Sequence, residues 1–290
     1  MLNTAVTSEN IVPKPYKKGK VKRVLLSVFG LLLGLIFIFP VYILALNSFK
    51  VQKALFLNVL SFPDANTFTL NNYAESFSKL NYLQSFCNSL YITVFSTLLI
   101  LLISTMAAWV LVRYKTRTSK FFFIIFAISM LIPFQCVMLP LMTVAKILNF
   151  LNPFGLIIMY MGFGTSLAIV MLHGFIKNVP EELEEAAVID GCNIFQLFFI
   201  IVVPLLRIIL ITVAIQNVMW IWNDYLLPSL IINKPGIQTL PLMTYSFFGQ
   251  YSTRWDLASA GLILCMIPVI VFYLFSQKYI IRGMTEGAIK

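Results

Sequence analysis

The chain has 290 residues, of which 60% are hydrophobic and only 11% charged, and its mean hydropathy is +0.90. Soluble domains hold about 25% charged residues, so an ordinary soluble domain is excluded. The formal net charge of +10 sits largely beside apolar runs, which fits membrane topology and attraction to anionic lipid rather than nucleic-acid binding.

A membrane-spanning helix needs about 20 predominantly apolar residues. Six runs reach that length, at 24–46, 88–112, 121–145, 154–175, 200–222 and 257–275. None alternates with the period of two that marks an outer-membrane strand. The expected fold is all-α integral membrane, with six transmembrane helices. A basic arm at 1–23 precedes a single transmembrane domain at 24–290, whose core lies at about 88–280.

The first run follows Lys14, Lys17, Lys18, Lys20, Lys22 and Arg23, and the segment before them reads as disordered. At 23 residues the run exceeds the ~7–15 of a signal-peptide core, and no small-x-small site follows. It reads as a retained helix.

The second run carries Thr93, Ser96, Thr97, Ser104 and Thr105, the third Gln135, and the fifth Gln216 and Asn217. Two readings stay open for these neutral groups. They bond helices to one another, or they line a path for an uncharged polar solute, for which adjacent Gln216 and Asn217 are the best candidates. Pro133 and Pro140 fall in the third run, where proline bends a helix. His173, the one histidine, ends the fourth run and reads as a packed imidazole.

Between the fourth and fifth runs lies a polar cassette, Glu181-Glu-Leu-Glu-Glu-Ala-Ala187 followed by Asp190-Gly191. Pro180 opens a helix, and Glu181 and Glu182 follow in its first turn, where the dipole favours negative charge. Leu183, Ala186 and Ala187 form a narrow apolar stripe. Gly191 ends the helix by taking positive φ, and Asn193 with Gln196 reads as a capping box that starts a second helix. The cassette lacks any Lys or Arg, so it is poorly suited to rest on anionic lipid. A groove on a soluble partner suits it better.

Trp222, Asn223 and Asp224 close the fifth run and are expected to anchor the loop at 233–254. With the N-terminus inside, fourteen Lys and Arg fall on cytoplasmic segments and six on outer loops, leaving Arg207 within the fifth run uncounted. Both termini and the cassette are therefore expected in the cytoplasm. The runs hold almost no ionisable groups at depth, and no carboxylate pair, metal cluster, nucleophile–base pair or phosphate loop is present. That speaks against an ion-coupled secondary carrier, the alternative reading, and against an enzyme. No metal or cofactor of its own is expected.

Glu185-Ala186-Ala187, Gly191, Ile201 and Pro204 resemble the EAA-x3-G-x9-I-x-L-P signature of permease subunits of ATP-binding-cassette importers, with Val203 in place of the usual Leu. The segments 180–191 and 222–228 look like the carbohydrate branch. The ending Arg282-Gly283-x-Thr285-x-Gly287-Ala-x-Lys290 is similar to that of the smaller maltose-importer permease. The resemblance implies a type I importer permease in a bacterial cell membrane. It implies as partners a second homologous permease, two cytoplasmic ATPase subunits that bind ATP, and an extracytoplasmic solute-binding protein. It also makes residues 180–199 coupling helices, with Glu181, Glu184, Glu185, Ala186, Ala187, Asp190, Gly191 and Pro204 as coupling residues. The tail at 278–290 would reach toward the ATPases.

Overall fold

The computed structural model describes residues 20–248 and 253–288. Lys14, Lys17, Lys18, the segment preceding them and Lys290 lie outside the described residues. The elements in order are α1 (Lys20–Ser48), α2 (Gln52–Leu57), α3 (Asn71–Lys79), α4 (Tyr82–Arg113), α5 (Arg117–Ser129), α6 (Phe134–Ile147) and α7 (Pro153–Ile176). There follow α8 (Glu182–Ile189), α9 (Ile194–Gln196), a π turn (Leu197–Val202), α10 (Val203–Leu205), α11 (Arg207–Asn223), α12 (Leu226–Ile231), α13 (Leu240–Thr244) and α14 (Trp255–Ala288). Among the described residues the only β-type pairings are two isolated bridges.

Four of these helices, α1, α4, α7 and α14, are long and apolar enough to span a membrane singly. Two bent pairs are long and apolar enough when each is taken as one broken span: α5 with α6, bent by 103°, and α9–α10 with α11, bent by 78°. The six expected spans are matched when each bent pair is counted as one, but the third and fifth runs are not the straight helices that their composition suggests. Pro133 is the cap residue before α6, in extended conformation, and proline drives the residue before it out of the α region. Pro140 sits inside α6 without a second break.

The core is built on the α4–α7 contact. One face of α4 alternates small and branched residues, Ser85, Ser89, Ile92, Ser96, Ile100, Ser104 and Ala108, all buried. Small residues let helix backbones approach where lipid offers no hydrophobic drive. Gly164 shows how close the approach is, since a Cβ there would lie 2.5 Å from Ile100 Cδ1 and 2.9 Å from Asn217 Oδ1. Ser96, Thr97 and Ser104 have no hydrogen-bond partner among the described residues, and Thr105 bonds its own helix at Leu101 O (2.6 Å). These hydroxyls are packed between helices.

Helix α1 lies outside this core against α14, and most of its length is exposed. A short helical region joins it to α4 on the side away from α8. Its centre is Lys50, whose ammonium is fully buried and donates to Asn47 Oδ1 (3.1 Å) and to the carbonyls of Asn58 and Val59 (both 3.2 Å). Burial pushes the Lys50 pKa below its ordinary value.

Candidate functional site

The polar cassette forms a helix, a corner and a second helix. Glu182, Glu184 and Glu185 occupy the first turn of α8, where the dipole favours negative charge. The helix ends in a Schellman arrangement: the Gly191 N–H donates to Val188 O and the Cys192 N–H to Ala187 O, each at 3.0 Å. Gly191 takes φ +87°, a conformation that side chains resist. Asn193 then caps α9, its Oδ1 accepting from the Gln196 N–H (2.9 Å), while Gln196 Oε1 accepts from the Asn193 N–H (2.9 Å). The expected corner and capping box are both present.

The chain does not pass from α9 into a regular helix. A π turn intervenes, with the Val203 N–H reaching back to Phe198 O. Pro204 follows with no N–H to give, and the direction changes at Leu206 before α11 begins.

What fixes the cassette to the spans is Glu184. Its Oε1 accepts from Arg113 Nε (2.9 Å) and Nη2 (2.6 Å), and its Oε2 accepts from Trp109 Nε1 (2.8 Å). Both charged side chains are nearly enclosed, at 12% and 10% exposure. Arg113 also donates to Val179 O (3.2 Å), and the Trp109 ring meets Phe198 at 5.6 Å. The last turns of α4 thus hold the segment before α8, α8 itself and the π turn. Beside them, Lys115 pairs with Glu181 at 2.8 Å. That hydrogen bond and charge hold the Glu181 carboxyl below its ordinary pKa.

This geometry divides the expected residues. Glu184 and Ala187 face the bundle, while Glu182, Leu183, Glu185, Ala186, Val188, Ile189 and Asp190 are exposed. The expected stripe Leu183–Ala186–Ala187 is therefore split, because the Glu184 tie turns the neighbouring Ala187 inward. The cassette does have cations, which α4 and the turn after it supply from far away in sequence.

Gln216 and Asn217 are not buried as a pair. Successive helical residues point about 100° apart; Asn217 is buried and donates to Val213 O (2.8 Å), whereas Gln216 is exposed. Gln135 is exposed as well. His173 is buried and stacked on Phe123 at 3.8 Å, the packed imidazole expected.

At the opposite end, Trp222 is buried with Leu240 and Phe247 of the 233–254 loop. Asp224 accepts from Tyr160 Oη (2.9 Å) and the Leu226 N–H (3.0 Å), and among the described residues the Asn223 side chain bonds only Met219 O of its own helix. The stronger anchors come from α4. Gln84 and Asn88 both donate to Gly236 O (2.8 and 3.0 Å), and Ser89 accepts from the Leu240 N–H (2.8 Å). Two amides and a hydroxyl at the mouth of an apolar run were the available sign of this. Arg282, Gly283, Thr285 and Gly287 continue the backbone of α14.

Residues 99–286 match the family of binding-protein-dependent transport system inner membrane components. The chain is 45% identical over 274 residues to the probable starch degradation products transport system permease protein AmyC of Thermoanaerobacterium thermosulfurigenes, covering 94% of this chain and 99% of that protein. It is 35% identical to the multiple sugar-binding transport system permease protein MsmG of Streptococcus mutans, covering 93% and 96%. Its fold is similar to a chain of a bacterial ABC transporter that imports the acidic polysaccharide alginate, with TM-score 0.77, 22% identity, and 92% and 99% coverage. The fold is that of an ABC importer permease, and an import subunit served by a binding protein and an ATPase is supported over an ion-coupled carrier. The chain belongs to the binding-protein-dependent transport system inner membrane component family.

Proposed function

We propose that this chain forms half of the translocation path of a sugar importer, with a second homologous permease as the other half. Two cytoplasmic ATPases bind and hydrolyse ATP, this chain having no ATPase site of its own, and an extracytoplasmic protein delivers the sugar. Both termini and α8 lie in the cytoplasm, which the bias of Lys and Arg supports. The names of the relatives, which concern starch degradation products and multiple sugars, support the solute class.

The observation that carries this reading is the α8–Gly191 corner, which presents Glu182, Leu183, Glu185, Ile189 and Asp190 to solvent while Arg113 holds Glu184 from behind. An exposed helix fixed at its back can take a load. ATP-driven closure of the ATPases pulls the corner inward and turns the permease halves between inward- and outward-facing states, each favoured by a different ligand. Gln135 and Gln216 face the path between the halves, Asn217 supports it from within the bundle, and the α14 tail contacts the ATPases.

The test is reconstitution with the partner proteins in proteoliposomes, measuring uptake of labelled malto-oligosaccharides beside ATP hydrolysis. Gly191→Asp and Glu185→Lys insert normally but abolish uptake while hydrolysis persists. Normal uptake by either variant overturns the coupling role. Uptake of no oligosaccharide by the wild type overturns the solute class.

A further inference from the structure

A cavity of about 610 Å³ opens beside the coupling site, between the end of α4, the start of α5 and the end of α7. That is within the usual range for a small-molecule site. Its lining is split by chemistry. Leu111, Val112, Phe123 and Ile124 give one apolar wall, and each belongs to a membrane-spanning segment. The other wall comes from the span ends and is basic, with Arg113, Lys115, Lys120 and Lys177 against a single carboxylate, Glu181.

Two of those cations are already engaged, Arg113 by Glu184 and Lys115 by Glu181. Lys120 and Lys177 enter no ion pair among the described residues, and both are exposed at the rim. The Thr116 and Ser119 hydroxyls line the same cavity at the N-terminus of α5, bonded to each other at 3.1 Å. That terminus adds partial positive charge, and Lys177 follows the carbonyl end of α7. Leu111 also lines a second groove, wholly apolar, with Met106, Val110, Phe122 and Phe126. The position is the level at which each span passes from apolar to charged sequence, where phosphate groups of a bilayer lie.

We propose that this cavity binds the phosphate of an anionic phospholipid headgroup, with Lys120 and Lys177 as its cationic ligands, Thr116 and Ser119 as hydroxyl donors, and the apolar wall against the first part of an acyl chain. Basic pockets between spans are suited to such headgroups. A soluble phosphate ester shares the chemistry of the polar wall but has no use for the apolar one. The inference needs membrane embedding alone, so it stands or falls independently of the solute.

The full-length chain in mild detergent, offered phosphatidylglycerol and phosphatidylcholine at equal concentration, reports the preference by native mass spectrometry. The wild type retains one phosphatidylglycerol about 30-fold more tightly than phosphatidylcholine, the scale expected of two cations near a lipid phosphate. The double variant Lys120→Gln/Lys177→Gln loses that preference, and the control Lys146→Gln/Lys234→Gln, exchanged at exposed sites on the opposite end, keeps it. Equal retention of the two lipids by the wild type overturns the proposal without recourse to any variant. So does an unchanged preference in the double variant. Displacement of phosphatidylglycerol by millimolar glycerol phosphate overturns the lipid as the source of the phosphate.

Discussion

Glu184 has exchanged water for three nitrogen donors, and Arg113 for a carboxylate and a carbonyl. Removing one partner of such a pair strands the other, at a cost of about 3–5 kcal/mol. Arg113→Ala and Glu184→Ala are each expected to lower the resistance of the purified chain to heat in detergent and to uncouple hydrolysis from uptake. Arg113→Met with Glu184→Leu is expected to recover part of the heat resistance, because it strands no charge and leaves only the Trp109 N–H and the Val179 carbonyl without these partners. A double variant as labile as the singles would show that the tie does not act as a pair. Gly155 is a second sensitive site: its N–H caps onto Asn152 Oδ1 (2.9 Å), and a Cβ there would collide with the backbone oxygen of Phe150. Gly155→Ala should therefore reduce the yield of folded chain, whereas Gly191→Asn, with open space around it and a side chain tolerant of positive φ, should not. At this scale the cassette was legible where its chemistry is local. Gly191, Asn193 and Gln196 act within a few residues of one another, and their types alone specify a corner. The inward turn of Glu184 was not legible, because Arg113 stands 71 positions away and only the α4–α7 packing brings the two together.

Among the elements, the broken third and fifth spans stand out. In the fifth, the π turn widens the helix just before a residue that cannot donate. Pro204→Ala restores an N–H at that point and lets the helix return to its regular pitch. Spin labels placed at Cys192 and at Ile208→Cys should then report a changed distance by double electron–electron resonance. An unchanged distance would mean that the packing of buried Leu206 sets the bend. Both broken spans announce themselves by a proline, yet proline type says only that a bend is allowed. Pro133 and Pro140 share one run, but only the first stands at a break, because residues 130–132 before it leave the helix while the turn around Pro140 holds.

Across the whole molecule, burial is uneven. Ile100 is fully enclosed between α4 and α7, whereas Phe37 of α1 is 79% exposed. Because lipid is as apolar as either side chain, the difference lies in packing rather than in transfer from water. Ile100→Ala should cost on the order of 2 kcal/mol through the cavity it leaves, and Phe37→Ala a few tenths at most, both measured by unfolding in detergent. Comparable losses would show that α1 is held far more firmly than its contacts suggest. The number of spans was legible from apolar run length, a property of each segment alone. Their arrangement was not, since in a bilayer every face of a helix reads as apolar whether it meets lipid or another helix. Small-residue spacing along α4 was the one trace of which face turns inward.

Helix α4 touches both working ends of the protein. Its last turns grip the α8–Gly191 corner, and its first turns carry the 236–240 loop through Gln84, Asn88 and Ser89. At 32 residues it is about 48 Å long, with no proline or glycine along it. Such an element behaves as a push-rod of low compliance. A displacement imposed at the Arg113 end would emerge at the loop with little lost in flexing.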